Sequence, residues 1–206
     1  MTEKPILFNA EMVRAILDGR KTCTRRLPSK HSREAYSTYS YWASARKKMS
    51  EKEFYEKYSL YQLGDILYVR ETWSEGYEEG TYIYRADDKL AGHPTFKESS
   101  KHIWRPSIHM PKEAARIWLK VTDVKVERLQ DITEDGAKAE GAIDNRGFIH
   151  SPENEYDSIH TAREHFAEIW NSTIKKSDLD HYGWDANPYV WAISFERCEK
   201  PEGEVK

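Results

Sequence analysis

The sequence predicts an α+β fold: a small mixed β-barrel with flanking helices and a helical insertion. Two observations support this. Strand-like segments dominate, and a helix follows the first strand with others between later ones, which suits a barrel better than a doubly wound sheet. A length of 206 residues fits a single domain. We read that domain over 1–200, with the helical insertion at about 29–60, a loop insertion at about 142–157 and a tail at 201–206.

In chain order, "PILF" at 5–8 reads as a short buried strand. Asn9 then caps a helix whose Met12, Val13, Ile16 and Leu17 share one face, and Gly19 stops it. From Lys21 the chain turns β-like: Thr22, Thr24 and Arg26 alternate with Cys23 and Arg25, and Pro28 ends the strand. Residues 29–60 are rich in Lys, Glu, Ser and Tyr, and a long stretch free of Gly and Pro reads as two inserted helices. A turn at Gly64-Asp65 leads into a strand, Ile66–Glu71, with which "TYIYRA" at 81–86 is expected to pair. A loop containing Gly92, Pro94, Pro106 and Pro111 follows. "ARIWLKVTDVKVERL" alternates Ile117, Leu119, Val121 and then Val124, Val126, so its phase slips at Thr122-Asp123, as at a bulge or barrel corner. Thr133 caps a short helix that Gly141 stops, and a helix over about 158–172 puts Ala162, Phe166, Ile169 and Trp170 on one stripe. "PYVWAISFERC" at 188–198 closes the domain as a strand.

Composition excludes several classes. With 7 Trp, 13 Tyr and 6 Phe the chain is too aromatic to be disordered. No apolar run approaches the ~20 residues a membrane span needs, and "MTEKPILFNAEM" has no signal-peptide core, so a cytoplasmic protein without membrane partners is expected. Cys23 and Cys198 read as reduced, packed thiols. The eight His are scattered without metal-ligand spacing, so neither a metal nor a cofactor is expected. Charge is unevenly spread: the net charge of -3 divides into +6 over residues 1–60 and -9 over the rest. The basic excess is tightest at Arg20, Lys21, Arg25, Arg26, Lys30 and Arg33, a stretch with no acidic residue that suits an anionic ligand.

"ILDGRKTCTRR", with "LGDILYVRETW", "RPSIHMP", "VERLQDITEDGAKAEGA" and "WDANPYVWAISF", resembles the ASCH superfamily of PUA-like small β-barrels, and in particular the ASCH-domain proteins of tailed bacteriophages and prophages. The resemblance covers most of the chain outside 29–60 and 142–157. One branch, the bacterial acetylcytidine amidohydrolase, removes an acyl group from the exocyclic amine of a cytosine nucleoside. Its G-R-K-T-x-T-x-R segment matches Gly19, Arg20, Lys21, Thr22, Thr24 and Arg26 without a gap. The resemblance therefore implies catalytic roles for Lys21 and Thr24, and for Glu140 in "ITEDGAKAE", with Glu134 and Glu71 as alternative carboxylates. Other branches are proposed to bind or cleave RNA, so the fold alone does not select the reaction.

Amide hydrolysis needs a nucleophile, a base to deprotonate it and an acid for the leaving amine. Thr24 supplies a hydroxyl; Lys21, whose ammonium form the neighbouring arginines disfavour, could take the Thr24 proton, Glu140 could shuttle that proton to the cytosine amine, and Arg26 could stabilise the oxyanion or orient the substrate. An ideal strand points Lys21 and Thr24 to opposite faces, so the pair works only if Lys21 belongs to the turn after Gly19. The same Arg20, Lys21, Arg25 and Arg26 also suit an RNA phosphate. A phage factor that binds a host protein is a third reading, and it would use the 29–60 insertion with its Arg46, Lys47 and Lys48. Tyr68, Trp73, Tyr82, Tyr84 and Trp104 are candidate base-stacking residues, Tyr68 and Trp73 foremost, and Glu71 is the reserve substrate-binding carboxylate. His109 is a further candidate acid or base, and "WDANPYVW" reads as a turn.

Overall fold

Where apolar residues alternate or recur at helical spacing, the chain forms regular elements, and these were followed in a computed structural model that describes residues 2–43, 48–76, 78–88, 103–146 and 160–201. The strands are β1 (Glu3–Leu7), β2 (Cys23–Arg26), β3 (Ile66–Arg70), β4 (Trp73–Glu75), β5 (Tyr82–Tyr84), β6 (Trp118–Arg128) and β7 (Tyr189–Cys198). The helices are α1 (Ala10–Leu17), α2 (Lys30–Trp42), α3 (Glu51–Lys57), α4 (Glu134–Ala139), α5 (Ala162–Thr173) and α6 (Leu179–Tyr182). The protein is thus a mixed α+β chain.

Five strands form a mixed sheet in the order β1-β3-β6-β7-β2, and β4 and β5 form a separate hairpin. β1 runs parallel to β3, Glu3 opposite Ile66, whereas β3 with β6 and β2 with β7 are antiparallel. Closing a barrel requires two neighbours for every strand. β1 and β2 have one each, so among the described residues the expected barrel is an open sheet. "TYIYRA" does not pair with β3 either. Both sides of β3 are taken, by β1 and β6, and β5 instead folds back on β4, Trp73 opposite Tyr84.

The chain divides into two compact units. The first comprises residues 1–19, 64–122 and 195–206, and the second comprises 20–63 and 123–194. β6 and β7 each contribute to both, and the phase slip at Thr122-Asp123 marks the point where β6 leaves the first unit. In the first unit, Asn9 caps α1 by accepting from the Met12 N–H, and Val13, Ala15 and Ile16 are buried. Trp73, Met110, Ala114, Ala115 and Trp118 pack with Ile66 into a core. Buried Asp65 accepts from the Thr2 hydroxyl at 2.7 Å and the Lys4 ammonium at 2.5 Å, which fixes the start of the chain.

In the second unit, Leu129, Ile132, Ala137, Ala142, Ala162, Phe166, Trp170 and Val190 form the core. The two insertion helices, α2 and α3, differ in burial: α2 buries no residue, while α3 buries Phe54 and Tyr55. Gly92, Pro94, Arg46, Lys47, residues 147–157 of the loop insertion and residues 202–206 of the tail lie outside the described residues. No helix among the described residues is long and apolar enough to cross a membrane.

Candidate functional site

The site is built where the segment after α1 meets the end of α4, within the second unit. Gly19 takes φ +75, a left-handed conformation that glycine adopts without strain, and the chain leaves the helix there. β2 begins only at Cys23, so Lys21 sits in the connecting turn rather than in the strand. The Thr22 N–H donates to the Ala139 carbonyl at 2.8 Å and ties this turn to α4.

α4 delivers Glu140. The Thr133 hydroxyl caps its start by accepting from the Gly136 N–H at 3.0 Å. Glu140 occupies the C-cap, its N–H donating to the Gly136 and Ala137 carbonyls, and Gly141 at φ +93 turns the chain away. Two local signals, a capping threonine and a stop glycine, therefore set where the carboxylate stands.

Lys21 is 2% exposed and Glu140 8%. The Lys21 ammonium donates to Glu140 Oε2 at 2.5 Å, to the Glu140 carbonyl at 2.8 Å and to the Cys23 carbonyl at 2.9 Å. Burial pushes the Lys21 ammonium below its ordinary pKa, and Glu140 opposes that push. The other carboxylate oxygen, Glu140 Oε1, accepts from Arg25 Nη1 at 3.4 Å. Arg25 in turn holds Glu127 Oε1, with Nε at 2.8 Å and Nη2 at 2.7 Å, and its guanidinium lies 5.9 Å from the Phe166 ring. A side chain at Gly136 would come within 3.3 Å of Arg25 Nη2, so that glycine leaves room for the guanidinium.

Thr24 is buried in β2 opposite Ile193, and strand alternation puts it on the face away from Arg25. Arg26, opposite Trp191, shares the Thr24 face. Burial pushes its guanidinium pKa down, with Tyr61 and Glu140 opposing. Arg20 is exposed and, with Lys138, Ala139, Ala142 and Ile143, lines a cavity of about 330 Å³. Lys21, Thr24, Glu140, Arg20 and Arg26 thus all belong to the second unit, and of these Lys21 and Glu140 are directly bonded.

Of the remaining expected residues, Glu134 opens α4 in the second unit and the others belong to the first unit. Glu71 is 1% exposed and accepts two bonds from Arg116, at 2.9 and 3.0 Å, while burial pushes its carboxyl upward. Tyr68 is half-buried beside Trp118, and Trp73 is buried beside Tyr82. The Tyr84 hydroxyl donates to the Ala114 carbonyl, and Trp104 stacks under Arg85. His109 is exposed at the end of a short 3-10 turn. Among the described residues, no three His, Cys, Asp or Glu are grouped to hold a metal ion.

Sequence reasoning did not single out Glu127. The available signal was indirect: a buried arginine demands a carboxylate, but nothing local says that β6 supplies it. No protein-family model, no curated protein and no solved structure matches this chain.

Proposed function

We propose that the chain is a phage-type relative of the PUA-like ASCH proteins that works in the cytoplasm of a bacterial host. In this reading it hydrolyses the acyl amide on the exocyclic amine of a cytosine nucleoside. The observation that carries it is the buried 2.5 Å bond between Lys21 and Glu140, the two residues that the resemblance makes base and proton shuttle. Burial disfavours the charged ammonium, and in this reading Lys21 acts as a neutral amine beside Glu140.

From that form the steps balance. The Thr24 hydroxyl attacks the acyl carbon, its proton passes to Lys21, and Arg26 steadies the oxyanion. As the carbon–nitrogen bond breaks, Glu140 relays that proton from Lys21 to the departing cytosine amine. Water then attacks the Thr24 ester and yields a proton to the Glu140 carboxylate. Glu140 passes that proton to the leaving threonine oxygen, which restores the starting form and releases a carboxylic acid.

The test is hydrolysis of acetylcytidine by the purified chain. Lys21→Ala and Glu140→Gln are each expected to lower kcat by about 10²–10⁴-fold, the contribution of a positioned acid or base. Thr24→Val should abolish turnover with folding intact by circular dichroism, and retained turnover would remove Thr24 from the mechanism. A second reading, RNA-phosphate binding by the same segment, is favoured by the exposed Arg20 and Lys138 that line the 330 Å³ cavity. Absence of turnover by the intact chain would transfer the conclusion to that reading.

A further inference from the structure

One buried carboxylate of the first unit, Glu71, gives both oxygens to a single guanidinium, that of Arg116, at 2.9 and 3.0 Å. A two-point grip of this kind fixes a carboxylate and leaves it little freedom to exchange protons. Glu140 is held differently, each oxygen facing a different cation. Its Oε2 accepts from Lys21 at 2.5 Å, and its Oε1 accepts from Arg25 Nη1 at 3.4 Å. The Arg25 guanidinium gives its closer contacts, Nε at 2.8 Å and Nη2 at 2.7 Å, to Glu127.

Three elements fix this arrangement: β2 carries Arg25, β6 carries Glu127 and the end of α4 carries Glu140. The guanidinium is buried between them, with the Phe166 ring of α5 at 5.9 Å and Cys23 Sγ at 4.0 Å from Nη1. A guanidinium keeps its charge wherever it is placed, so Arg25 is a permanent cation beside the carboxylate. Arg25 also stands at a position that the G-R-K-T-x-T-x-R pattern leaves open. The resemblance therefore gives it no part in hydrolysis, and it gives Glu127 none.

We propose that Arg25 and Glu127 are positioning residues that act through Glu140, an inference that rests on the hydrolytic reading. Arg25 holds Oε1, so that Oε2 faces Lys21. Its charge also draws on the carboxylate, which loosens Glu140's hold on the Lys21 proton and favours the neutral amine. Glu127 limits that draw. It keeps the guanidinium at 3.4 Å from Oε1 instead of in a close two-point grip, and Glu140 stays able to take a proton and pass it on. Among the described residues, the Cys23 thiol and the Arg26 guanidinium also act on Glu140, and Lys125 acts on Glu127 and Cys23.

The test measures acetylcytidine kcat/KM against pH for the full chain, Arg25→Met and Glu127→Gln, each checked for folding by circular dichroism. The acid limb follows the loss of one proton from the Lys21–Glu140 pair. Removing the cation should move that limb up by about one pH unit, and removing the anion should move it down by about half a unit. Structural damage alone would lower kcat in both variants and leave the limb in place, so the opposite signs identify positioning. Arg25→Lys keeps the charge and should restore the limb while kcat stays reduced, because one ammonium cannot hold both carboxylates as the fork does. Should Arg25→Met fail to fold, Glu127→Gln and Arg25→Lys carry the comparison. Limbs that stay in place, or that move the same way, overturn the proposal. A carbon-13 titration of the Glu140 carboxyl reads the same two shifts without catalysis. Absence of turnover by the intact chain would overturn the hydrolytic reading, whereas turnover with no shift in that titration would overturn the roles of Arg25 and Glu127 alone.

Discussion

Glu140 gives one carboxylate oxygen to Lys21 and the other to Arg25, and Arg25 leans on Glu127, so four ionisable side chains share one small volume. Breaking a buried pair from one side is costly because a charge is left behind. Glu140→Ala should therefore lower unfolding free energy by about 3–5 kcal/mol in urea titrations. Glu127→Gln, whose side chain is 24% exposed, should cost nearer 1 kcal/mol. The lowered Lys21 pKa also has a signed consequence. Between that lowered value and the ordinary 10.5, the unfolded chain binds a proton that the native chain does not, so stability rises with pH through this window. Lys21→Met should flatten that rise in alkaline denaturation curves. At this scale "GRKT" and "TEDGAKAE" single out two residues that meet in space. The Arg25–Glu127 contact was illegible, because it joins strands far apart in sequence.

Elements were legible where their ends are written locally. Thr161 and Glu164 form a reciprocal capping box at α5, and Ser50 and Glu53 another at α3. Thr161→Ala should cost about 1 kcal/mol in thermal or urea unfolding. Gly141 is a more discriminating test, since its φ of +93 both ends α4 and aims Glu140. Gly141→Ala should cost about 1 kcal/mol of stability and also reduce acetylcytidine turnover, through a misplaced carboxylate. Pairing was harder to read than existence. The short strand at 82–84 was visible, but its partner depended on β1 and β6 having already taken both sides of β3, and no local pattern carries that information.

For the whole molecule, the mixed α+β character followed from the succession of segments. The open sheet did not, because closure depends on whether the first and last strands of the order find each other, which periodicity cannot report. Charge supplies a test at this scale. If the basic segment holds RNA, affinity should fall by about 0.7 log units per contacted phosphate for each log unit of salt, whereas kcat/KM for the uncharged acetylcytidine should stay nearly flat. Paired titrations between low and moderate salt would separate the two readings.

The register of β2 against β7 bears on how the protein comes into being. Cys23 lies opposite Ser194 and Arg26 opposite Trp191, so β2 waits for a strand made long after it. While the chain is still emerging from a ribosome, the segment that carries Lys21 and Thr24 has no partner strand, and closing so long a loop makes the pairing intrinsically slow. The residues proposed for hydrolysis would come into register only once β7 has been made. An unfinished chain would then carry the full basic segment and none of the hydrolytic chemistry.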